Sequence, residues 1–208
     1  MNIKEELQEA LKKIPVALPE GAESRLVTYI GLLDKWNKVY NLTAVRDPQQ
    51  MLYYHILDSL AVEPLLPQVS GIADIGTGPG LPGIPLAIAR PDAHIVLVES
   101  NHKKAAFLTQ AKLELGLKNV EVVNGRVEKY HPAERFGVVI SRAFSEMAQF
   151  VAQARHLCDK EGIIAAMKGL YPHEELTRLP GDVQVEAINS VNVPGLDAER
   201  HLVFIKVN

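Results

Sequence analysis

One stretch decides the fold of this chain: Asp74-Ile75-Gly76-Thr77-Gly78-Pro79-Gly80-Leu81-Pro82-Gly83. It follows a short apolar run at residues 71–75 and precedes a helical pattern at residues 83–90. A strand, a glycine-rich turn and a helix in this order are typical of an open α/β sheet, in which ligands bind where the strands end. Glycines allow the backbone to turn tightly and to come close to such a ligand. We therefore expect an α/β fold with a ligand site directly after its first strand.

Short apolar runs alternate with helical segments on the carboxyl side of this turn. The runs predict strands at residues 71–75, 94–99, 120–124, 138–141 and 162–167, and helices are expected near residues 83–90, 102–116 and 146–158. This alternation predicts a parallel sheet with helices on both faces. Two more strand candidates, residues 184–193 and 201–207, have no helical pattern between them. They predict an antiparallel hairpin at one edge, which completes a mostly parallel, seven-stranded, Rossmann-like sheet.

The segment before the sheet is predicted to be helical. Helices are expected at residues 2–14, 21–40 and 48–66, and the third has Asp47 as its N-cap and Pro48 at its first helical position. His55 and Asp58 lie three residues apart on this third helix, where they can line a pocket, although no third ligand nearby favours a metal site. The chain of 208 residues is thus expected to form one domain. Its parts are a helical N-terminal extension, residues 1–68, and a sheet core, residues 69–208.

Two cofactors compete for the glycine-rich turn. Residues 74–80 follow the pattern Asp-x-Gly-x-Gly-x-Gly, which resembles the S-adenosylmethionine (SAM) motif of class I methyltransferases, whereas residues 78–83 follow Gly-x-Gly-x-x-Gly, the dinucleotide fingerprint. A pyrophosphate needs backbone N–H donors at a helix start, and Pro79 and Pro82 each remove one. SAM has no phosphate and carries a positive sulfonium, so we favour SAM over NAD. The expected cofactor contacts in the turn are Asp74, Gly76, Gly78 and Gly80.

Residues after the second and third predicted strands would complete a SAM site. Glu99 ends the second strand, 23 residues after Gly76, where its carboxylate can accept hydrogen bonds from both ribose hydroxyls. The loop after the third strand lies beside the adenine in this architecture. Val127 is therefore expected to line the ring, and backbone groups of Val127 and Glu128 to address its polar edge. Glu128 is equally compatible with an ordinary surface position.

The loop after the fourth strand excludes two kinds of methyl acceptor. Exocyclic amines typically require an Asn/Asp-Pro-Pro-aromatic loop, whereas this chain has Ser141-Arg142-Ala143-Phe144. Methylation at cytosine C5 requires a cysteine nucleophile, and Cys158 is expected in a helix beyond the loop, as a small buried hydrophobe. Guanine N7 fits what remains, because its sp² lone pair carries no proton and needs alignment and desolvation but no general base. We accordingly assign no catalytic side chain.

Positive charge is expected to form a local RNA patch. The formal net charge of -3 is unlike that of proteins that coat nucleic acid. Arg142 is a candidate for binding phosphate, base O6 or the cofactor carboxylate, and Lys168 follows the fifth strand at the same sheet edge. No run of about 18 apolar residues and no signal-peptide pattern is present. We expect a cytoplasmic protein without membrane contact, metal or stable protein partner, and a monomer by default.

Several motifs together resemble the RsmG (GidB) family over nearly the whole chain. They lie at residues 36–38 (WNK), 40–43 (YNLT), 55–59 (HILDS), 74–85, 140–143 (ISRA) and 199–202 (ERHL). The resemblance implies a class I methyltransferase fold and a SAM-dependent enzyme that methylates guanine N7 at position 527, in the 530 loop of bacterial 16S rRNA. The substrate would be the rRNA or a small-subunit precursor, and the cofactor product S-adenosylhomocysteine. Carried over by motif, the cofactor contacts would be Gly76, Leu81, Val127, Glu128 and Arg142.

Other functions stay open at this point. The chain could methylate a small molecule or a protein, act as a SAM-binding regulator without catalysis, or be an NAD-dependent oxidoreductase. A glycine-rich turn that binds no ligand is the simplest alternative. Transfer from labelled SAM to undermethylated ribosomal RNA separates the first two from our prediction, and calorimetry with SAM and with NAD separates the third.

Overall fold

The computed structural model describes residues 2–144 and 146–207. The N-terminal elements are α1 (Ile3–Leu11), α2 (Ala22–Tyr40), α3 (Pro48–Met51), a π-helical turn (Leu52–Leu57), α4 (Asp58–Leu60) and a 3₁₀ turn (Glu63–Leu65). The elements that follow are β1 (Gly71–Ile75), α5 (Gly83–Ala89), β2 (His94–Glu99), α6 (His102–Glu114), β3 (Val120–Asn124), a 3₁₀ turn (Val127–Lys129), β4 (Phe136–Ser141), α7 (Met147–Ala154), a 3₁₀ turn (Arg155–Leu157), β5 (Cys158–Lys168), α8 (His173–Thr177), β6 (Val183–Ser190) and β7 (His201–Val207).

The seven strands form one sheet in the order β3-β2-β1-β4-β5-β7-β6. The first five strands pair in parallel, while β7 runs antiparallel to both β5 and β6. This arrangement confirms the predicted mostly parallel sheet with an antiparallel edge hairpin. The strand order reverses between β1 and β4, and in such sheets the ligand site lies outside the carboxyl ends of the strands at that point.

Alternate residues of the central strands enter two separate apolar cores. In β1 and β2, Ile72 and Ile95 belong to the core beneath the N-terminal helices. Their neighbours Ala73 and Val96 belong to the second core, which includes α7. Side chains of a strand point alternately to the two faces, so a strand that is apolar throughout must be covered on both sides. The near-continuous apolar runs of the sequence therefore become the centre of a parallel sheet.

The N-terminal helices pack on one face of the sheet. Leu7 of α1, Leu26 of α2 and Leu52 of the π-helical turn are fully buried in the same core as Ile72 of β1. Asp47 caps α3 as expected, because its side chain accepts from the backbone N of Gln50 at 3.1 Å. The predicted single helix over residues 48–66 is wrong in detail, since it contains the π-helical turn and ends at Leu60.

Cys158 does not lie in a helix, contrary to the prediction. Helix α7 ends at Ala154, and Cys158 starts β5, in register with Phe136 of β4. The polar run after Cys158 hid this strand, because an apolar pattern begins only at Ile163. Cys158 is nonetheless buried, as expected, and burial raises the pKa of its thiol to about 11.

The short helix α8 lies where the sequence pattern predicted no element. Among residues 2–144 and 146–207, no helix combines the length and the apolar character that a bilayer crossing requires.

Candidate active site

The glycine-rich turn depends on backbone conformations that only glycine adopts readily. Gly76, Gly78 and Gly80 have φ angles of 62°, 61° and 100°, in the region where an L side chain clashes with its own backbone. The start of the turn is fastened to β2, because the backbone N atoms of Gly76 and Thr77 both donate to the carbonyl oxygen of Val98, at 2.9 and 3.3 Å. The turn is thus a fixed part of the sheet edge.

Asp74 holds the turn together from inside. Its side chain is completely buried, and its Oδ2 accepts from the Thr77 hydroxyl at 2.5 Å and from the Gly83 backbone N at 2.7 Å. Burial raises the pKa of this carboxyl to about 7. A Cβ atom at Gly83 would lie 2.8 Å from the same carboxylate oxygen, so glycine is needed there. Asp74 therefore shapes the turn, and a direct contact with a cofactor stays a prediction.

The N-terminal extension also holds the turn. The phenol of Tyr29, on α2, donates to the carbonyl oxygen of Pro79 at 2.6 Å, and both residues are buried. Burial raises the pKa of this phenol well above its usual value, so it remains a donor at ordinary pH. This contact could not be predicted from the sequence, because the helical spacing of Tyr29 indicates only a core position.

Glu99 links the turn to helix α6. Its Oε2 accepts from the backbone N of Gly78 at 2.8 Å, and its Oε1 accepts from the backbone N of Asn101 at 2.7 Å. Asn101 in turn caps α6. A carboxylate has about four acceptor sites in total, so these two bonds leave capacity for the ribose hydroxyls that we expect Glu99 to bind.

A cavity of ≈ 260 Å³ lies beside the turn, at the carboxyl ends of β1, β2 and β3. Three of the predicted cofactor residues, Gly76, Val127 and Glu128, line it, together with Phe144 from the loop after β4. A Cβ atom at Gly76 would lie 3.9 Å from the Phe144 ring. The apolar side chains of the wall, the carboxylate of Glu99 nearby and the absence of a side chain at Gly76 fit the adenosine part of SAM. We call this space the adenosine cavity.

Gly80 and Leu81, also predicted to contact the cofactor, lie on the side of the turn that faces α5 and not on the side that faces the adenosine cavity. Both are buried, and a Cβ atom at Gly80 would lie 2.5 Å from the side chain of Ile84 in α5. These two residues therefore set the path of the backbone, and no side chain of theirs lines the adenosine cavity.

A second cavity, of ≈ 340 Å³, separates the N-terminal extension from the carboxyl ends of β4 and β5. His55 and Asp58 line it, as predicted, and so do Arg142, Lys168 and Arg200. We call it the arginine cavity. Burial lowers the pKa of His55 to about 4, so this imidazole is neutral at pH 7.

Arg142, in the loop after β4, lines the arginine cavity. Its Nη1 donates to the carbonyl oxygen of Tyr54 at 2.9 Å and to Oδ2 of Asp58 at 3.2 Å. Its neighbour Ala143 is the residue that a Cβ atom at Gly76 would approach, at 3.4 Å. The loop after β4 thus lies between the two cavities, because Arg142 lines the arginine cavity and Phe144 lines the adenosine cavity.

Lys168, predicted to bind RNA, is part of the wall of the arginine cavity. Its ammonium group pairs with Glu175 of α8 at 2.6 Å and donates to the carbonyl oxygen of Phe144 at 3.0 Å. Only 9% of its side chain is exposed. Lys168 therefore holds α8 against the loop after β4, and contact with RNA stays a prediction.

Known relatives match this chain over nearly its whole length. A family model described as GidB, rRNA small subunit methyltransferase G, matches residues 22–203. Ribosomal RNA small subunit methyltransferase G of Laribacter hongkongensis is 55% identical over 205 residues, 98% of this chain and 98% of the relative. The protein of that name from Neisseria meningitidis serogroup B is 51% identical over 205 residues, 99% of each chain.

Solved structures with low identity share the fold. The O-methyltransferase TomG from Streptomyces achromogenes, in complex with SAM, matches with a TM-score of 0.60 and 18% identity over 100% of both chains. An O-methyltransferase from Bacillus cereus, in complex with SAH, matches with a TM-score of 0.60 and 17% identity, over 87% of this chain and 91% of that one. This chain therefore has the class I methyltransferase fold, and by its sequence it belongs to the rRNA small subunit methyltransferase G (GidB) family.

Proposed function

We propose that this protein transfers the methyl group of SAM to N7 of one guanine in the 530 loop of 16S rRNA. Family membership supports methyl transfer to small-subunit ribosomal RNA. The choice of N7 rests on the loop after β4, which lies between the two cavities and in which Arg142 and Ala143 supply neither a nucleophile nor a proton acceptor. We further infer that the enzyme acts as a cytoplasmic monomer.

The adenosine cavity is the proposed SAM site. Bound SAM supplies a methyl group on a positively charged sulfur, which is electrophilic without further activation. Val127 and Phe144 would contact the adenine ring, and Glu99 would accept from the ribose hydroxyls. Gly76 lines the cavity with backbone alone, at a φ of 62° that disfavours any side chain, so the ligand can come close to the backbone there. Asp74, Gly78, Gly80 and Leu81 contribute by fixing the turn.

The chemistry of the acceptor explains why no general base is needed. N7 of guanine attacks with a lone pair that carries no proton, so the protein has only to align the two reactants and exclude water. His55 is neutral and bonded to the Thr43 hydroxyl at 2.9 Å. A covalent route through Cys158 is unsupported, because this protonated thiol lies at the amino end of β5, whereas the cavities lie at the carboxyl ends.

The test is methyl transfer from labelled SAM to 16S rRNA and to small subunits from cells that lack this modification. We expect one N7-methylguanine in the 530 loop, mapped by borohydride reduction and aniline cleavage of the RNA strand. A transcript containing 7-deazaguanine in place of guanine has the same shape but no N7, and it should accept no methyl group.

Two outcomes would contradict the proposal. Methylation of the 7-deazaguanine transcript would show that the acceptor is a different atom. Transfer only to proteins or small amines, with none to either ribosomal substrate, would show a different substrate class.

A further inference from the structure

Asp58 joins two arginines that are far apart in the chain. Its Oδ1 accepts from Nε of Arg200 at 2.7 Å and its Oδ2 from Nη1 of Arg142 at 3.2 Å. Only 4% of the Asp58 side chain is exposed, against 27% for Arg142 and 23% for Arg200. The carboxylate is thus buried behind two guanidinium groups that are themselves partly open to solvent.

Tertiary structure alone brings Arg200 to this place. The antiparallel pairing of β5 with β7 sets Lys168 opposite His201, so Arg200 lies beside the carboxyl end of β5. On the other side, Asp58 follows directly after the π-helical turn of the extension. Such π-helical turns are frequent at functional sites.

Both guanidinium groups keep donors for a ligand. Nε and Nη2 of Arg142 and Nη2 of Arg200 make no hydrogen bond to any residue within 2–144 and 146–207. Both arginines line the arginine cavity. A guanidinium group that is already held in place loses less freedom when it binds a ligand. The pair is therefore a prepared site for oxygen acceptors.

The rest of the arginine cavity suits a nucleobase. Apolar side chains of Val45, Val62, Met167 and Val191 line it. Tyr54 also lines it and is 42% exposed. Aromatic rings of this kind commonly stack on unpaired bases of RNA. Apolar walls, an exposed aromatic ring and two directed cations together match a single nucleotide.

We propose that the arginine cavity receives the acceptor nucleotide, and that Asp58 is the positioning residue that aims Arg142 and Arg200 at its oxygen atoms. This inference rests on the proposed function. Arginine often binds O6 and N7 of guanine together, but such a contact would block the atom that is methylated. The two arginines must therefore bind O6 alone or a phosphate oxygen of that nucleotide.

The first experiment compares Asp58→Asn and Arg200→Gln with the wild type. We expect each change to weaken binding of a 530-loop RNA, measured by fluorescence anisotropy, by about tenfold or more. SAM affinity, measured by calorimetry, should stay within about twofold. The matched control is Arg155→Gln, because Arg155 is similarly exposed (31%) and pairs with Asp182 at the amino ends of β5 and β6. This control should bind RNA like the wild type.

A double variant separates positioning from a merely structural role. If Asp58 acts through Arg200, Asp58→Asn should weaken RNA binding less in the Arg200→Gln background than in the wild type. Equal losses in both backgrounds would contradict the positioning role. Thermal unfolding of all variants shows whether each remains folded.

Two RNA analogues distinguish the possible oxygen acceptors. 2-Aminopurine at the target position removes O6 but keeps N7, and a methylphosphonate linkage on the 5′ side removes a phosphate charge. One of the two should weaken wild-type binding and leave the Arg200→Gln variant unaffected. If Arg200→Gln weakens RNA binding but neither analogue weakens binding to the wild type, the assignment of the arginine cavity to the acceptor nucleotide is wrong.

The outcomes also separate this inference from the proposed function. If Arg200→Gln weakens SAM binding and leaves RNA binding intact, the arginine cavity belongs to the cofactor and the inference is wrong, although methylation of rRNA stands. If the wild type binds the RNA through Arg200 but transfers no methyl group, the proposed function is wrong. The binding assay needs no methyl transfer, so it decides the inference in either case.

Discussion

The buried hydrogen bond from Tyr29 to the glycine-rich turn offers a clean perturbation, Tyr29→Phe. The change removes only the hydroxyl that donates to the carbonyl oxygen of Pro79 at 2.6 Å. The ring itself can stay, stacked near Phe107 with the ring centroids 6.4 Å apart. The variant therefore tests one contact between the N-terminal extension and the turn.

The expected loss in the free energy of unfolding follows from the carbonyl oxygen that the substitution leaves unpaired. No other donor within the described parts of the chain bonds to the Pro79 carbonyl, so this buried acceptor loses its partner. A buried polar group left unsatisfied costs about 1–3 kcal/mol. We expect the free energy of unfolding to fall by about that amount. SAM binding should weaken as well, because the turn loses one of its fixed points.

The assay is urea unfolding of the variant and the wild type, followed by calorimetry with SAM. Tyr53→Phe is the matched control, because the Tyr53 hydroxyl bonds to Glu6 at 3.3 Å in a partly exposed position, where water can replace it. Tyr53→Phe should lower the free energy of unfolding by less than about 0.5 kcal/mol and leave SAM binding unchanged. Equal losses in the two variants, or no effect of Tyr29→Phe on either measurement, would refute the reasoning.

Three further predictions concern the turn and the loop after β4. Gly76→Val should abolish SAM binding by filling the adenosine cavity. The control is Gly116→Val, because Gly116 has a similar φ of +64° but open space around it. This control carries the same backbone strain and should bind SAM normally in calorimetry. Arg142→Ala should lower the rate of rRNA methylation by about tenfold or more while the protein stays folded, since the buried carboxylate of Asp58 keeps its bond to Arg200; wild-type turnover would count against its placement at the site. The pKa of Asp74 is raised from 3.8 to about 7, so its neutral form contributes stability that is complete below about pH 4 and is lost as the pH rises through about 7. Asp74→Asn should therefore gain stability relative to the wild type, by up to about 1.4 kcal/mol per pH unit, in urea unfolding between about pH 5 and pH 7; parallel pH profiles would show that this carboxyl does not titrate there.

The main features of the fold could be predicted from the sequence because they depend on local patterns. Apolar runs, helical spacing and the glycine-rich turn identified the seven strands, the sheet type and the edge hairpin. The errors came where local pattern and tertiary pairing disagree. Cys158 and the polar residues after it resemble the end of a helix, yet pairing with Phe136 makes Cys158 the start of a strand.

The candidate site also has features that the sequence predicts and features that depend on tertiary pairing. The glycines of the turn, Glu99 and the loop around Val127 are visible in the sequence, because each follows the end of a strand and such ends meet at one sheet edge. The bond from Tyr29 to Pro79 and the bridge from Asp58 to Arg200 are not visible there, because their partners are 50 and 142 residues apart. Contacts at that separation depend on how the extension packs on the sheet and on the register of β5 with β7. The sequence alone thus determined the kind of fold and the glycine-rich turn, whereas only the packing of distant elements decided what holds that turn and what lines the arginine cavity.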